Sequence, residues 1–281
     1  MITPHFLKRC VQLFSFCFLF GFSLLTFAGG PDLAAHPSPL HAHAWSLSFY
    51  SGVAPTSLTR RTRNIRFGIN PAFTSTGVLR AIGDDNFFDE QFGLPVIYGF
   101  LIGYAFNNNV EGGIELEGVH ASGQVYTRST SVGLVSQQFS NYNSYAAYLT
   151  LAYYFNTLFH WGYGRLFPFI GIKTGLMHRA RVNILSDSVD GMPTSFDGSE
   201  QTPFYVNDSV LSSGVFLGLL YNLSQTTSIF LRGGVTASGG LHGKVFAFKT
   251  VVGRPVRAWS LTDSGTMLSY PVELGIRVVF F

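Results

Sequence analysis

The sequence predicts an all-β protein, an up-and-down antiparallel barrel of eight strands that crosses a membrane. Three observations lead there. Residues 270–281 carry an unbroken apolar row at every second position. That alternation recurs eight times between Trp45 and Phe280, with long and short connections taking turns. Apolar residues make up 47% of the chain and charged ones only 12%, about half the usual charged share.

The terminal strand is the clearest. Tyr270, Val272, Leu274, Ile276, Val278 and Phe280 form its apolar row, opposite Glu273, Gly275 and Arg277. Side chains alternate between the faces of a strand, so one face of this one is apolar and the other polar. A strand of this kind is expected to close a sheet, because an unpaired edge invites pairing with other chains.

The other seven follow in order. Trp45–Val53 aligns Trp45, Leu47, Phe49 and Val53, and residues 92–106 align Val96, Tyr98, Phe100, Ile102, Tyr104 and Phe106 against Gly99, Gly103 and Ala105. In residues 110–122, Val110, Ile114 and Leu116 oppose Glu111, Glu115 and Glu117. Residues 145–155 align Tyr145, Leu149, Leu151, Tyr153 and Phe155, and residues 166–181 set Leu166, Ile170, Ile172 and Leu176 against Lys173, Arg179 and Arg181. Residues 211–221 set Leu211, Val215, Leu217, Leu219 and Tyr221 against Gly214 and Gly218, and 229–237 set Ile229, Leu231 and Val235 against Arg232. Long polar connections span 54–91, 123–144, 182–210 and 238–269, whereas 107–109, 156–165 and 222–228 are short. Short turns at one rim and long loops at the other suit a spanning barrel, which alone satisfies every backbone group in lipid without helices. Residues 63–70 also alternate, as a loop hairpin or, if 77–82 pairs with them, as part of a ten-strand arrangement. An even number is required, so eight or ten strands fit, and eight is the expectation.

Lys8 and Arg9, the apolar run 11–27 and the small residues from Ala28 to Gly30 describe an export signal. The alternative is a retained helical anchor, for which the run is at the short edge of the roughly 17–25 residues needed. The expected organisation is a signal peptide over 1–28, a linker over 29–44 and the barrel over 45–281, with Ala42-His43-Ala44 a second candidate cleavage site. Cys10 and Cys17 both lie in the signal, so the exported chain is expected to lack disulfides. Without Lys8 and Arg9 there are 16 basic against 15 acidic residues, a balance that predicts no nucleic-acid partner. A soluble lipocalin is the competing fold, but its outer rows would be rich in Lys and Glu. Here the non-apolar rows are mostly Gly, Ser, Thr and Ala, and the apolar ones include Trp45, Tyr98, Tyr145 and Tyr221.

With these residues in view, the chain resembles the eight-stranded outer-membrane barrel family that includes the OmpA transmembrane domain and the opacity-type surface antigens. The resemblance covers residues 45–281. It is carried by Gly103-Tyr104-Ala105-Phe106-Asn107-Asn108-Asn109 leading into Glu115-Leu116-Glu117, and by Leu274-Gly275-Ile276-Arg277-Val278-Val279-Phe280-Phe281. It implies that the row Tyr270, Val272, Leu274, Ile276, Val278 and Phe280 is read by the barrel-assembly machinery, with Phe281 one residue beyond the usual final aromatic. It implies outer-membrane lipid and lipopolysaccharide as surroundings. No peptidoglycan-binding domain is expected after Phe281, and no cofactor is implied.

The candidate site residues fall in four groups. Glu115, Glu117, Lys173, Arg179, Arg181, Arg232, Glu273 and Arg277 are expected to face inward and pair in a lumen just wide enough for side chains, as a structural plug or as the lining of a gated pore. Arg232, Glu273 and Arg277 are expected to cluster. The run Arg60, Arg61, Arg63 and Arg66 in the first long loop suits anions, either lipopolysaccharide phosphates or a host-surface ligand. His120 and Ser122 share a face at the long-loop rim, a spacing similar to the His-x-Ser of lipid A deacylase barrels. That family's following Asn is Gly123 here, and its downstream Glu is missing, so no catalytic residue is assigned. His36, His41 and His43 have a spacing that a metal would accept, but they fall in the linker and no metal site is assigned. The function expected is a surface scaffold for four loops in adhesion, antigen or envelope-integrity roles, with a narrow channel or a lipid A-modifying enzyme as alternatives.

Overall fold

Eight strands close into one ring. The structure, a computed structural model, describes residues 39–58, 62–68, 80–86, 88–130, 133–155, 165–189, 192–193, 202–251, 254–263 and 265–280. The barrel strands are β1 (Trp45–Val53), β2 (Val96–Ala105), β3 (Val110–Ala121), β4 (Tyr142–Tyr154), β5 (Leu166–Arg179), β6 (Asp208–Asn222), β7 (Thr227–Ser238) and β8 (Val272–Phe280). Each pairs antiparallel with its neighbour in the chain. β8 pairs with β1 from Trp45 opposite Phe280 to Val53 opposite Val272, which closes the ring.

The count is eight, not ten. The strand Thr62–Gly68 does pair within the first long loop, with Arg80–Asn86, but as a separate two-stranded sheet. Two short rim strands, Thr56–Leu58 and Met267–Ser269, pair with each other, and the latter also extends the ladder of β7. Strand ends differ from the expected ones for local reasons. β2 begins at Val96 because Phe92 is drawn into a helical turn, α1 (Phe88–Gln91), where its N–H donates to the Phe88 carbonyl at 2.9 Å. β5 stops at Arg179, and Arg181 is exposed past its end, donating to Asn183 Oδ1 at 2.8 Å. Arg181 is therefore not a lumen residue.

The two faces of the ring have opposite polarity. Leu149, Leu151, Ile170, Ile172, Leu217 and Ile276 point outward and are exposed, Leu217 by 67%. Glu115, Glu117, Lys173, Arg232, Glu273 and Arg277 point inward and are buried. An apolar belt outside a polar interior is stable when hydrocarbon, not water, surrounds it. Aromatics mark both edges of the belt. At the short-turn rim Tyr104 meets Trp45 and Phe106 at 5.0 and 5.4 Å between ring centres, and Tyr153 meets Phe155 at 5.1 Å. Tyr98, Tyr145 and Tyr270 are exposed toward the other rim.

The inward rows are not made of small residues alone. Phe167, Phe169, Phe216, Leu220 and Phe230 form an apolar layer in the turn-side half of the lumen, with Leu40 packed in from the segment before β1. Glycines give these rings their room: a Cβ at Gly218 would stand 2.4 Å from the Phe169 ring, and one at Gly275 would stand 2.3 Å from that of Phe230.

Candidate functional site

The lumen is crossed by a charged layer built from side chains of six strands. β3 places Glu111, Glu115 and Glu117 on one inward row, since residues two apart share a face. Glu115 lies at the centre, fully buried. It accepts from Tyr50 OH at 2.7 Å, from Arg232 Nη2 at 2.8 Å and Nη1 at 3.0 Å, and from Lys173 Nζ at 3.2 Å. Lys173 also donates to Glu117 Oε2 at 2.5 Å, and Arg232 Nε donates to Glu273 Oε2. Both cations lie over rings, Lys173 4.6 Å from the centre of Tyr148 and Arg232 4.6 Å from that of Tyr50.

A second group lies toward the short turns. Glu111 accepts from Ser46 Oγ at 2.5 Å, Tyr154 OH at 2.8 Å, and Arg277 Nη2 and Nε at 2.9 and 3.3 Å. Arg277 is thus the partner of Glu111, and the expected cluster of Arg232, Glu273 and Arg277 splits, with Arg232 and Glu273 together and Arg277 elsewhere. Glu111 was absent from the expected lumen set although it shares the row of Glu115 and Glu117, and that shared phase is the signal that finds it. Ser46, Tyr50 and Tyr154 carry no such signal, because a hydroxyl on an inward row looks like any other strand residue.

Between the groups is a cavity of about 30 Å³ lined by Ser48, Glu111, Tyr154, Phe216, Arg232 and Arg277 among others. Its size suits about one or two water molecules. Side chains fill the rest, as an eight-stranded interior allows.

Arg179 serves the other rim. Its guanidinium grips Asp208 with Nε at 2.7 Å and Nη2 at 2.5 Å, and donates to the carbonyls of Gly239 and Gly240, each at 2.7 Å. It ties β5 and β6 to the start of the last long loop. Above it the long connections build a core together with the adjoining ends of β3, β4 and β5. Phe88, Phe92, Phe139, Tyr142, Phe204 and Tyr205 are buried together. The hairpin formed by Val125–Thr130 and Gly133–Phe139 shares one sheet with Val182–Val189, Met192–Pro193 and Thr202–Tyr205 of the third loop.

The remaining candidates are placed as follows. Arg60 and Arg61 lie outside the described residues; Arg63 and Arg66 fall on the strand Thr62–Gly68, in register with Asp85 and Ile82. His120 and Ser122 are at the long-loop rim, but His120 Nδ1 is bonded to Asn143 Oδ1 at 2.7 Å, and among the described residues no hydrogen bond joins it to Ser122. His36 and residues 1–28 lie outside the described residues. His41 Nε2 is 3.0 Å from the Gln225 carbonyl and His43 Nδ1 3.3 Å from Tyr104 OH, so residues 39–44 are fastened to the short-turn rim. Among the described residues no group of three or more His, Cys, Asp or Glu is placed to hold a metal. In the terminal row, Phe280 is exposed opposite Trp45, Tyr270 precedes β8, and Phe281 lies outside the described residues.

No protein-family model matches the chain, and no curated protein sequence matches it. Among solved structures the chain is similar to Neisserial surface protein A at 11% identity and a TM-score of 0.42, over 84% of this chain and 97% of that one. It is similar to the outer membrane protein OprG from Pseudomonas aeruginosa at 12% identity and a TM-score of 0.39, over 84% and 97%. A third is Ail, the attachment invasion locus protein of Yersinia pestis, at 11% identity and a TM-score of 0.33, over 84% and 99%. Likenesses this distant carry no role across. The closed antiparallel ladder and the inverted polarity make the chain an eight-stranded barrel of the outer-membrane type.

Proposed function

We propose that this chain is a bacterial outer-membrane surface protein, a closed barrel that holds four long loops outside the cell for adhesion, antigenic or envelope-integrity roles. The observation that carries the reading is the pairing of a filled lumen with an aromatic core beneath the loops. Among the described residues, side chains and a small cavity occupy the interior, which favours a scaffold over a channel. A loop platform with its own core is suited to presenting a surface, since specificity in such folds resides in loops. Residues 1–28 would direct export, and the row from Tyr270 to Phe280 would be read during barrel assembly. The ligand class best matched to Arg60, Arg61, Arg63 and Arg66 is an anion, either lipopolysaccharide phosphate or an acidic host-surface glycan. His120 is committed to Asn143, which favours a non-enzymatic role.

Planar-bilayer recordings and binding assays on the purified protein test this together. The expected result is no steady conductance, with binding to lipopolysaccharide-containing vesicles or to host cells that weakens when the four arginines are replaced by alanine. Large stable conductance would establish the channel instead. Binding unchanged in the arginine variant would remove that run as the anion site.

A further inference from the structure

The lumen network is unbalanced in both charge and donors. Four buried carboxylates, Glu111, Glu115, Glu117 and Glu273, share the described interior with three cations, Lys173, Arg232 and Arg277. Arg179 offers no relief, because it is matched by Asp208 at the rim. An excess negative charge in a lipid-enclosed interior is expensive.

Donors are distributed just as unevenly. Glu111 and Glu115 each accept four hydrogen bonds and must be ionised acceptors. Glu117 has one side-chain partner, Lys173 on Oε2, and Glu273 has one, Arg232 on Oε2. Glu273 Oε1 is buried with no hydrogen-bond partner. The two are the ends of one chain of ion pairs, in which Lys173 joins Glu117 to Glu115 and Arg232 joins Glu115 to Glu273. Gly99, opposite Glu117, makes room for the Tyr50 ring, and Gly52 stands opposite Glu273. The titratable groups around the pair are Tyr50 on β1, Glu115 on β3, Tyr148 on β4, Lys173 on β5 and Arg232 on β7, while the nearby inward residues of β2 and β6 include Gly99, Phe216 and Ser212.

We propose that the folded barrel binds one proton in its lumen at neutral pH, shared by Glu117 and Glu273. A single proton supplies both what the charge count and what the donor count lack. It makes one of the pair a neutral acid whose O–H is the missing donor and leaves three carboxylates for three cations.

The test uses the exported chain folded into phosphatidylcholine vesicles, with Glu→Gln changes at each of the four positions. At pH 7 the wild type should show the infrared carbonyl stretch of a protonated carboxylic acid, and Glu117→Gln and Glu273→Gln should each abolish it. In urea unfolding, those two variants should be about as stable as the wild type at pH 7. Glu111→Gln and Glu115→Gln, which strip Arg277 in one case and Arg232 and Lys173 in the other of an ionised acceptor, should lower the folding equilibrium roughly a hundredfold or more. The folded wild type keeps a proton that the unfolded chain has released, so its stability falls as pH rises above the ordinary carboxylate range. Relative to Glu117→Gln, that slope is tenfold per pH unit. The wild-type infrared band decides alone if a variant fails to fold. Absence of the band at pH 7, equal slopes, or a dependence on sodium in place of pH would each overturn the proposal, the last by putting a cation where the proton is placed.

Discussion

The barrel and the loop platform are built from the same chain on opposite plans. Between the rims, charge is inside and Leu, Ile and Val are outside; beyond the long-loop rim, Phe88, Phe92, Phe139 and Phe204 are inside. The inversion occurs within a few residues. On β4, Tyr142 belongs to the loop core while Tyr145 faces outward, exposed. A strand cannot change its alternation without a break, so the polarity switches because the solvent does. Hydrocarbon surrounds one part and water the other, and each part hides what its own solvent rejects.

The two regions should therefore fail differently. Glu115→Ala strips Arg232, Lys173 and Tyr50 of their shared acceptor, and breaking such buried pairs costs roughly 3–5 kcal/mol. The expected outcome is loss of the folded, heat-modifiable gel band and of urea resistance in vesicles. Phe139→Ala removes a ring that meets Phe204 at 4.9 Å and Phe92 at 6.2 Å, a change typically worth about 3–5 kcal/mol. That loss should stay in the platform, so protease should cut the loops on intact cells while the heat-modifiable band persists. Unfolding of the whole barrel by Phe139→Ala would show that the two regions are one cooperative unit.

This contrast also explains what could be read from the sequence. The outward rows were legible because lipid imposes one chemistry on every second residue, and all eight strands were found within a few residues of their ends. The lumen was legible only in part. Charges on an inward row stand out, whereas Phe169, Phe216 and Phe230 on the same rows do not, since a strand with aromatics on both faces has no clear alternation. Glu273 was placed with Arg232, but the turn to Glu111 made by Arg277 depends on a crossing of the lumen that no single strand records. The loop core was not legible at all. Its residues come from four separate connections and from the adjoining ends of β3, β4 and β5, and no periodicity links Phe88 to Phe139, Phe204 or Met267.

Two neighbouring residues on β6 sharpen the boundary between outside and inside. Leu217 is 67% exposed in mid-strand, so Leu217→Arg sets a charge against hydrocarbon at a cost of roughly 2–4 kcal/mol. Gly218 faces the lumen, where a small polar residue would be tolerated if there were space. There is none: the new Cβ would stand 2.4 Å from both the Phe169 ring and the Leu231 carbonyl oxygen. Gly218→Ser should cost about 1–3 kcal/mol through overpacking, slightly less than the charge. Urea midpoints in vesicles order the two. A stable Leu217→Arg beside a failing Gly218→Ser would reverse the assignment of faces.

The smallest effect is expected at the rim itself, where His120 and Ser122 have the spacing of a base and a nucleophile. A working pair needs a hydrogen bond of about 2.6–3.2 Å between them. His120 instead donates from Nδ1 to Asn143 Oδ1 at 2.7 Å, and Ser122 lies beyond the end of β3, its carbonyl accepting from the Gly93 N–H at 2.8 Å. The next residue shows why the fuller deacylase pattern is missing. A Cβ at Gly123 would stand 2.0 Å from the Phe139 carbonyl oxygen, so the Asn of that pattern does not fit where the first two long loops cross. His120→Ala should therefore cost only the roughly 0.5–1.5 kcal/mol of one half-exposed hydrogen bond. Ser122→Ala should fall within about 0.5 kcal/mol of the wild type. Mass spectra of lipid A from cells expressing each variant should be identical to those from cells expressing the wild type. An acyl chain lost with the wild type and retained with both variants would make the rim a catalytic site and the hydrogen bond to Asn143 a resting arrangement that substrate displaces.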